Sequence, residues 1–160
     1  MLQFVETRPL NFRARQRLTH AMQFQRVFGA RVRRTRGPVA VFAFPNELAH
    51  ARLGLSIGKR CGPAATRNTL KRRLREAFRL VQHDLPRLEC DAPSGGSYDF
   101  VVTTVAHEPL SPASYADMVL RCAAELHRDW QKRLAGSPGA ASPQDAKPAT
   151  PATPPRDAPP

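Results

Sequence analysis

From Thr66 to Gln82 two stripes are written into one stretch of chain. Leu70, Leu74, Ala77, Phe78 and Val81 recur at spacings of three and four, so on a helix they share one apolar face. Arg67, Lys71 and Arg75 recur at i, i+4 and i+8 on another face, and Asn68, Arg72 and Arg79 widen it. The spacing predicts a helix over 66–82 that lies on a hydrophobic layer and turns a cationic ridge outward. Like charges four apart destabilise an isolated helix by about 0.2–0.5 kcal/mol per pair. Within residues 52–79 the single acid is Glu76. Stacking so many cations on one face is favourable if phosphates neutralise them; the alternative is a solvated basic face.

The charge of the whole chain follows the same division. The formal net charge is +12 over 160 residues. Residues 1–79 hold 18 basic and 3 acidic residues, whereas residues 80–160 hold 7 basic and 10 acidic. No acid occurs between Glu6 and Glu47, and arginines outnumber lysines 21 to 4. Guanidinium groups suit planar, bidentate contacts to phosphate. A basic half-chain of this kind points to a nucleic-acid partner.

Other classes fall away. No apolar run approaches the roughly 18 residues of a membrane span, and the N-terminus lacks the 7–15-residue apolar stretch of a secretory signal. A cytoplasmic, membrane-independent protein is expected. Cys61, Cys90 and Cys122 are odd in number, far apart and without a CxxC, so neither a disulfide framework nor a zinc site is expected. His20, His50, His83, His107 and His127 form no paired metal motif. The run Gly54 to Lys59 has three residues between its glycines, and Arg60 stands where a phosphate-binding loop needs Ser or Thr. A nucleotide-hydrolysing loop is rejected. No clustered carboxylates suggest a self-sufficient metal nuclease, so no catalytic residue, protein-held metal or organic cofactor is assigned.

The chain divides into a basic arm at 1–16, a domain at 17–134 and a disordered tail at 135–160. The tail holds eight of the 16 prolines and little else but small residues. Within the domain, Phe24, Val27 and Phe28 mark a first helix, with Thr19 as N-cap and Gly29 as stop. Residues 39–44 and 52–57 read as strands paired in a hairpin, and 99–105 as a further strand. Ser111-Pro112 opens a last helix to Leu134, with Tyr115, Val119, Cys122, Leu126 and Trp130 as its apolar stripe. If strands 52–57 and 99–105 are parallel, the intervening helix makes a βαβ crossover. The fold class is α+β, a small sandwich of helices on a sheet.

The stretch Gly58-Lys59-Arg60, then Arg67-Asn68-Thr69, then Lys71-Arg72-Arg73-Leu74-Arg75-Glu76-Ala77-Phe78-Arg79 resembles the signature of the bacterial ribonuclease P protein family. Arg17-Leu18-Thr19 with Phe24, Arg26, Val27 and Phe28 resembles its first helix. Arg52 to Ile57 and Tyr98 to Val102 resemble the strands on either side of the signature. The resemblance covers residues 17–134. It implies an α-β-β-β-α-β-α order like the ribosomal protein S5 domain 2-like fold, with a left-handed crossover. The third strand of that order is expected from a splitting of the 39–57 region.

It also implies a role. The protein subunit binds a catalytic RNA and holds the 5′ leader of precursor tRNA, while the RNA performs Mg2+-dependent leader removal with Mg2+ held mainly by RNA. No obligatory protein partner is implied. By position, Lys59, Arg60, Arg67, Asn68, Lys71, Arg72 and Arg75 are the RNA-binding residues, and Phe24, Phe28 and Phe42 line the leader cleft. Thr69 stands where the family carries a second arginine, with Arg72 or Arg73 expected to compensate. His107 stands where the family often carries arginine. A ribosomal or general RNA-binding protein of similar fold is the alternative. A helix-turn-helix is disfavoured, since Pro63 and a strand precede the basic helix.

Overall fold

The computed structural model describes residues 11–89 and 96–136. Its elements run α1 (Ala21–Gly29), β1 (Arg33–Arg36), β2 (Val39–Asn46), β3 (Arg52–Ser56), α2 (Ala64–Val81), β4 (Ser97–Thr104) and α3 (Pro112–Ala135). This is the α-β-β-β-α-β-α order. Residues 1–10 of the expected arm, Cys90 and the tail from residue 137 lie outside the described residues.

The four strands form one mixed sheet in the order β1-β2-β4-β3. β4 runs antiparallel to β2 and parallel to β3, so α2 is the crossover of a βαβ unit, as expected. Two strand expectations are corrected. Segments 39–44 and 52–57 do not pair, because β4 lies between them. The first six residues of β4, Ser97 to Val102, are buried in succession. A strand apolar on both faces needs covering layers and neighbours on both edges, which only a central position supplies. The extra strand is also not a splitting of 39–57. It is Arg33–Arg36, paired antiparallel with the start of β2 across Gly37-Pro38. Its sequence, Arg-Arg-Thr-Arg, is exposed throughout and has no apolar alternation to announce a strand. Gly37 closes the turn at φ +56, a conformation glycine adopts freely.

One face of the sheet is closed. Val39, Val41, Ala43, Leu53, Phe100 and Val102 pack there against Leu70, Leu74, Ala77, Phe78 and Val81 of α2. Tyr115, Val119, Cys122 and Leu126 of α3 complete this core, so both apolar stripes face inward as their spacing predicts. His127 of α3 meets Tyr98 of β4 at 2.8 Å. Burial raises the Tyr98 hydroxyl pKa and lowers that of His127, so both groups are held toward their neutral forms while sharing this hydrogen bond. The opposite face is only partly covered, by the nine residues of α1. There Leu18, Val27 and Val101 are buried, and Phe24, Phe28, Phe42 and Phe44 are half-buried around them.

Helix ends differ in detail. His20, not Thr19, is the N-cap of α1, and Gln23 Oε1 accepts from the N–H groups of both (3.0 and 3.1 Å). Gly29 is still helical, and the chain turns at Arg31 with φ +55. α2 starts two residues before Thr66, behind Pro63. Ser111 caps α3 as expected, its Oγ accepting from Ser114 N–H at 3.2 Å. Residues 11–16 of the expected arm pack onto the domain. Phe12 meets Phe78 edge-on (5.6 Å), and the buried Gln16 donates to Gln82 Oε1 at 2.8 Å.

On the partly covered face, Asp99 is 1% exposed. Arg52 Nε donates to its Oδ1 at 2.7 Å and Arg52 Nη2 to its Oδ2, while Asn46 Nδ2 adds a bond of 2.7 Å. Removing one partner of a buried pair strands the other charge, at a cost of about 3–5 kcal/mol. Arg52→Gln is expected to destabilise by about that amount, and Arg52→Gln with Asp99→Asn by clearly less, read by urea denaturation. Gly54 sits in the same face, where a Cβ would lie 2.7 Å from Phe24 Cε1. Gly54→Ala is expected to cost about 1–3 kcal/mol by overpacking, and Phe24→Leu in the same chain to restore part of the loss.

Candidate nucleic-acid interface

The cationic ridge begins in the helical turn Lys59–Cys61, before α2. Lys59 and Arg60 are exposed, whereas Cys61 is buried and its thiol donates to the Thr104 carbonyl at 3.1 Å. That bond ties the turn to the end of β4, so the two cations are presented from a fixed base. Along α2, Asn68 and Arg72 are exposed and Arg67, Lys71 and Arg75 half-buried. Among the described residues, Lys59, Arg60, Arg67, Lys71, Arg72 and Arg75 form no ion pair with an acid. Arg67 Nε is buried without a hydrogen-bond partner. An unsatisfied buried donor costs about 1–3 kcal/mol.

The remaining basic residues of α2 serve the protein itself. Arg79 grips Glu76, and its hydrogen bonds hold that carboxyl below the usual carboxylate range. Arg73 Nη1 donates to the carbonyls of Pro109 and Leu110, both at 2.7 Å. Arg73 is thus occupied with the loop before α3, which corrects its expected part in compensating for Thr69. Thr69 turns its hydroxyl back onto the Ala65 carbonyl (3.1 Å). Arg72, exposed beside it on the helix, keeps its charge toward solvent. His107, in place of the family's arginine, contacts the Tyr115 hydroxyl (2.6 Å) and the Val105 carbonyl.

The partly covered face gathers the aromatic residues. Phe28 and Phe42 meet edge to face with centroids 4.8 Å apart. Phe24 lies over Gly54 and is held by close packing rather than presented. Phe44 packs edge-on against Trp130 (5.6 Å), and the Arg26 guanidinium lies 5.2 Å from the Phe44 centroid. The Trp130 indole N–H donates to the Ala43 carbonyl at 3.0 Å, which fixes its ring at the end of the sheet. The structure thus brings Phe24, Phe28 and Phe42 to one face, with Phe44, Arg26 and Trp130 beside them. Sequence reasoning missed the last two, because the stripe of α3 reads Trp130 as plain core and Arg26 has no periodic partner. No helix among the described residues is long and apolar enough to cross a membrane, and no cluster of three His, Cys, Asp or Glu side chains among them could hold a metal ion.

A family model for ribonuclease P matches residues 12–129, most of the described domain. The chain belongs to the ribonuclease P protein family. Relatives named ribonuclease P protein component support this. One from Haemophilus influenzae (strain PittGG) is 40% identical over 93 residues, spanning 58% of this chain and 70% of the relative. One from Pasteurella multocida (strain Pm70) is 42% identical over 83 residues, 51% of this chain and 68% of the relative. The fold is shared with the ribonuclease P protein of Staphylococcus aureus (TM-score 0.52, 23% identity, 71% of this chain and 95% of that one). It is shared also with that of Thermotoga maritima (TM-score 0.51, 22% identity, 66% and 92%). Ribonuclease P is an endoribonuclease complex of tRNA processing, and membership implies an RNA partner for this chain.

The two kinds of arginine on α2 are separable by experiment. Arg67→Ala is expected to weaken RNA binding and to flatten the dependence of log K on log salt by about 0.7–0.9, one phosphate's worth. Arg73→Ala is expected to lower the melting temperature while leaving that slope unchanged.

Proposed function

We propose that this chain binds the catalytic RNA of ribonuclease P through Lys59, Arg60, Arg67, Asn68, Lys71, Arg72 and Arg75. In the same complex it holds the 5′ leader of precursor tRNA against Phe28 and Phe42. The observation that carries this reading is the coexistence, on one small domain, of an unpaired cationic ridge and a half-open aromatic sheet face. Phosphates arriving at the ridge satisfy guanidinium groups that the protein leaves without acids. Asn68, with a donor and an acceptor among cations, can read a base edge or a 2′-hydroxyl. Phe28 and Phe42 give unpaired bases a surface to stack on, worth about 1–3 kcal/mol per base with little sequence choice. Phe24 acts as the wall that positions α1.

In this reading the bond-breaking chemistry belongs to the RNA, with Mg2+ held mainly by RNA phosphates. Five acids of the domain are engaged in ion pairs, Asp99 with Arg52, Glu76 with Arg79, Asp117 with Arg121, and Glu125 and Asp129 with Arg34 and Arg36, and no cluster of three His, Cys, Asp or Glu side chains among the described residues could hold a metal ion. This chain contributes binding, orientation and positive charge, which lowers repulsion between two RNAs brought side by side. Its place of work is the cytoplasm.

The test is leader removal by the cognate catalytic RNA at low Mg2+, with and without the protein. Stimulation is expected, and its absence would end the proposal. In the same system Phe28→Ala is expected to weaken precursor tRNA binding by about 1–3 kcal/mol and mature tRNA binding much less. Equal losses on both tRNAs would mark Phe28 as packing alone.

A further inference from the structure

A second group of cations lies at the far edge of the sheet, away from α2. β1 is an edge strand, and on α3 the last two turns run past it. Around an open recess of about 300 Å3 stand Arg31, Arg33, Arg34, Asp129, Lys132 and Arg133. Arg34 is spent on Asp129 (2.6 Å) and Glu125, and Arg36 on Glu125 (2.7 Å). Arg133 is partly occupied with the Ala30 carbonyl and the Trp130 ring. Arg31, Arg33 and Lys132 are exposed and form no ion pair with an acid among the described residues.

Two ordinary roles account for part of this. Charged residues on an edge strand prevent unwanted strand pairing, and cations in the last turn of a helix complement its dipole. Neither explains Arg31, which belongs to no strand or helix. It stands at φ +55, a left-handed conformation rare for a long side chain. There it joins Arg33 and Lys132 at the recess.

Arg33 joins the recess to the aromatic face. Arg33 is the direct register partner of Phe42, so both side chains leave the same side of the sheet. No aromatic ring lines the recess, so it offers charge without a stacking surface. We propose that Arg31, Arg33 and Lys132 form a second subsite for single-stranded RNA. It receives the backbone phosphates of the leader after its bases leave Phe28 and Phe42. The inference rests on the leader-binding reading above and adds a direction to it: the strand passes from the aromatic face outward over the β1 edge. Contacts to phosphate alone carry no sequence preference. The subsite therefore reads leader length and not leader sequence.

The experiment compares precursor tRNAs with a short and a long unstructured leader, bound to the complex of full chain and cognate catalytic RNA. Wild type is expected to hold the long leader more tightly. Its salt slope should exceed that of the short leader by about 2, from three single-strand phosphates at about 0.7 each. In Arg31→Gln/Arg33→Gln/Lys132→Gln the difference should vanish, with short-leader binding unchanged. Arg31→Lys/Arg33→Lys/Lys132→Arg, which keeps the charge, should restore it. Arg87→Gln, an exposed cation remote in sequence from the recess, is expected to leave the difference intact. A triple Gln variant that keeps the full length advantage overturns this inference and leaves the leader-binding reading standing. A wild type that shows no preference for precursor over mature tRNA overturns both.

Discussion

β4 holds the molecule together because it is buried on every side. Its edges pair with β2 and β3, one face packs on α2 and α3, and Val101 on the other meets α1. Chain order then follows from sheet order. Since β3 and β4 are parallel, α2 must cross from the end of one to the start of the other. That crossing lays the apolar stripe of α2 on the sheet and leaves its cations outside. The same strand carries the Cys61 anchor at Thr104 and the Tyr98–His127 contact to α3. Ridge, aromatic face and the last helix are all indexed to one strand.

Most of this was legible wherever burial leaves a periodic trace. The stripes of α2 and α3, the capping serine of α3 and the order of elements could be read from spacing and from the family signature. What escaped has physical reasons. β1 has no apolar residue because it is an exposed edge, so only its pairing with β2 makes it a strand. The neighbour of β2 could not be chosen from local pattern, because 52–57 and 99–105 are both adequate partners. Two-sided burial of Tyr98 to Val102 decides between them, and that is a property of the assembled layers. The cations of α2 looked alike along the chain. The fold separates Arg73 and Arg79, which bind the protein, from Arg67, Lys71, Arg72 and Arg75, which do not bind its acids.

The charge excess is accordingly divided by use. Acids are placed where the fold needs a counter-ion: Asp99 in the partly covered face, Glu125 and Asp129 beneath β1, Glu76 beneath Arg79. Among the cations without such a pair, two groups stand out, one along α2 and one at the β1 edge. Buried Asp99 is the costliest of these placements, and its bidentate arginine with an added amide is what makes it tolerable.

Gly54 has a consequence for the groove itself. Phe24 rests where a side chain of β3 would otherwise project, so a single hydrogen atom sets how closely α1 approaches the sheet. The approach that brings Phe28 of α1 onto Phe42 is therefore set in part by an edge strand that contributes no ring to the groove. A larger residue there acts like a shim under one jaw of a vice. In related chains, the gauge of the groove should vary with the size of the residue at this position before it varies with any of the aromatics.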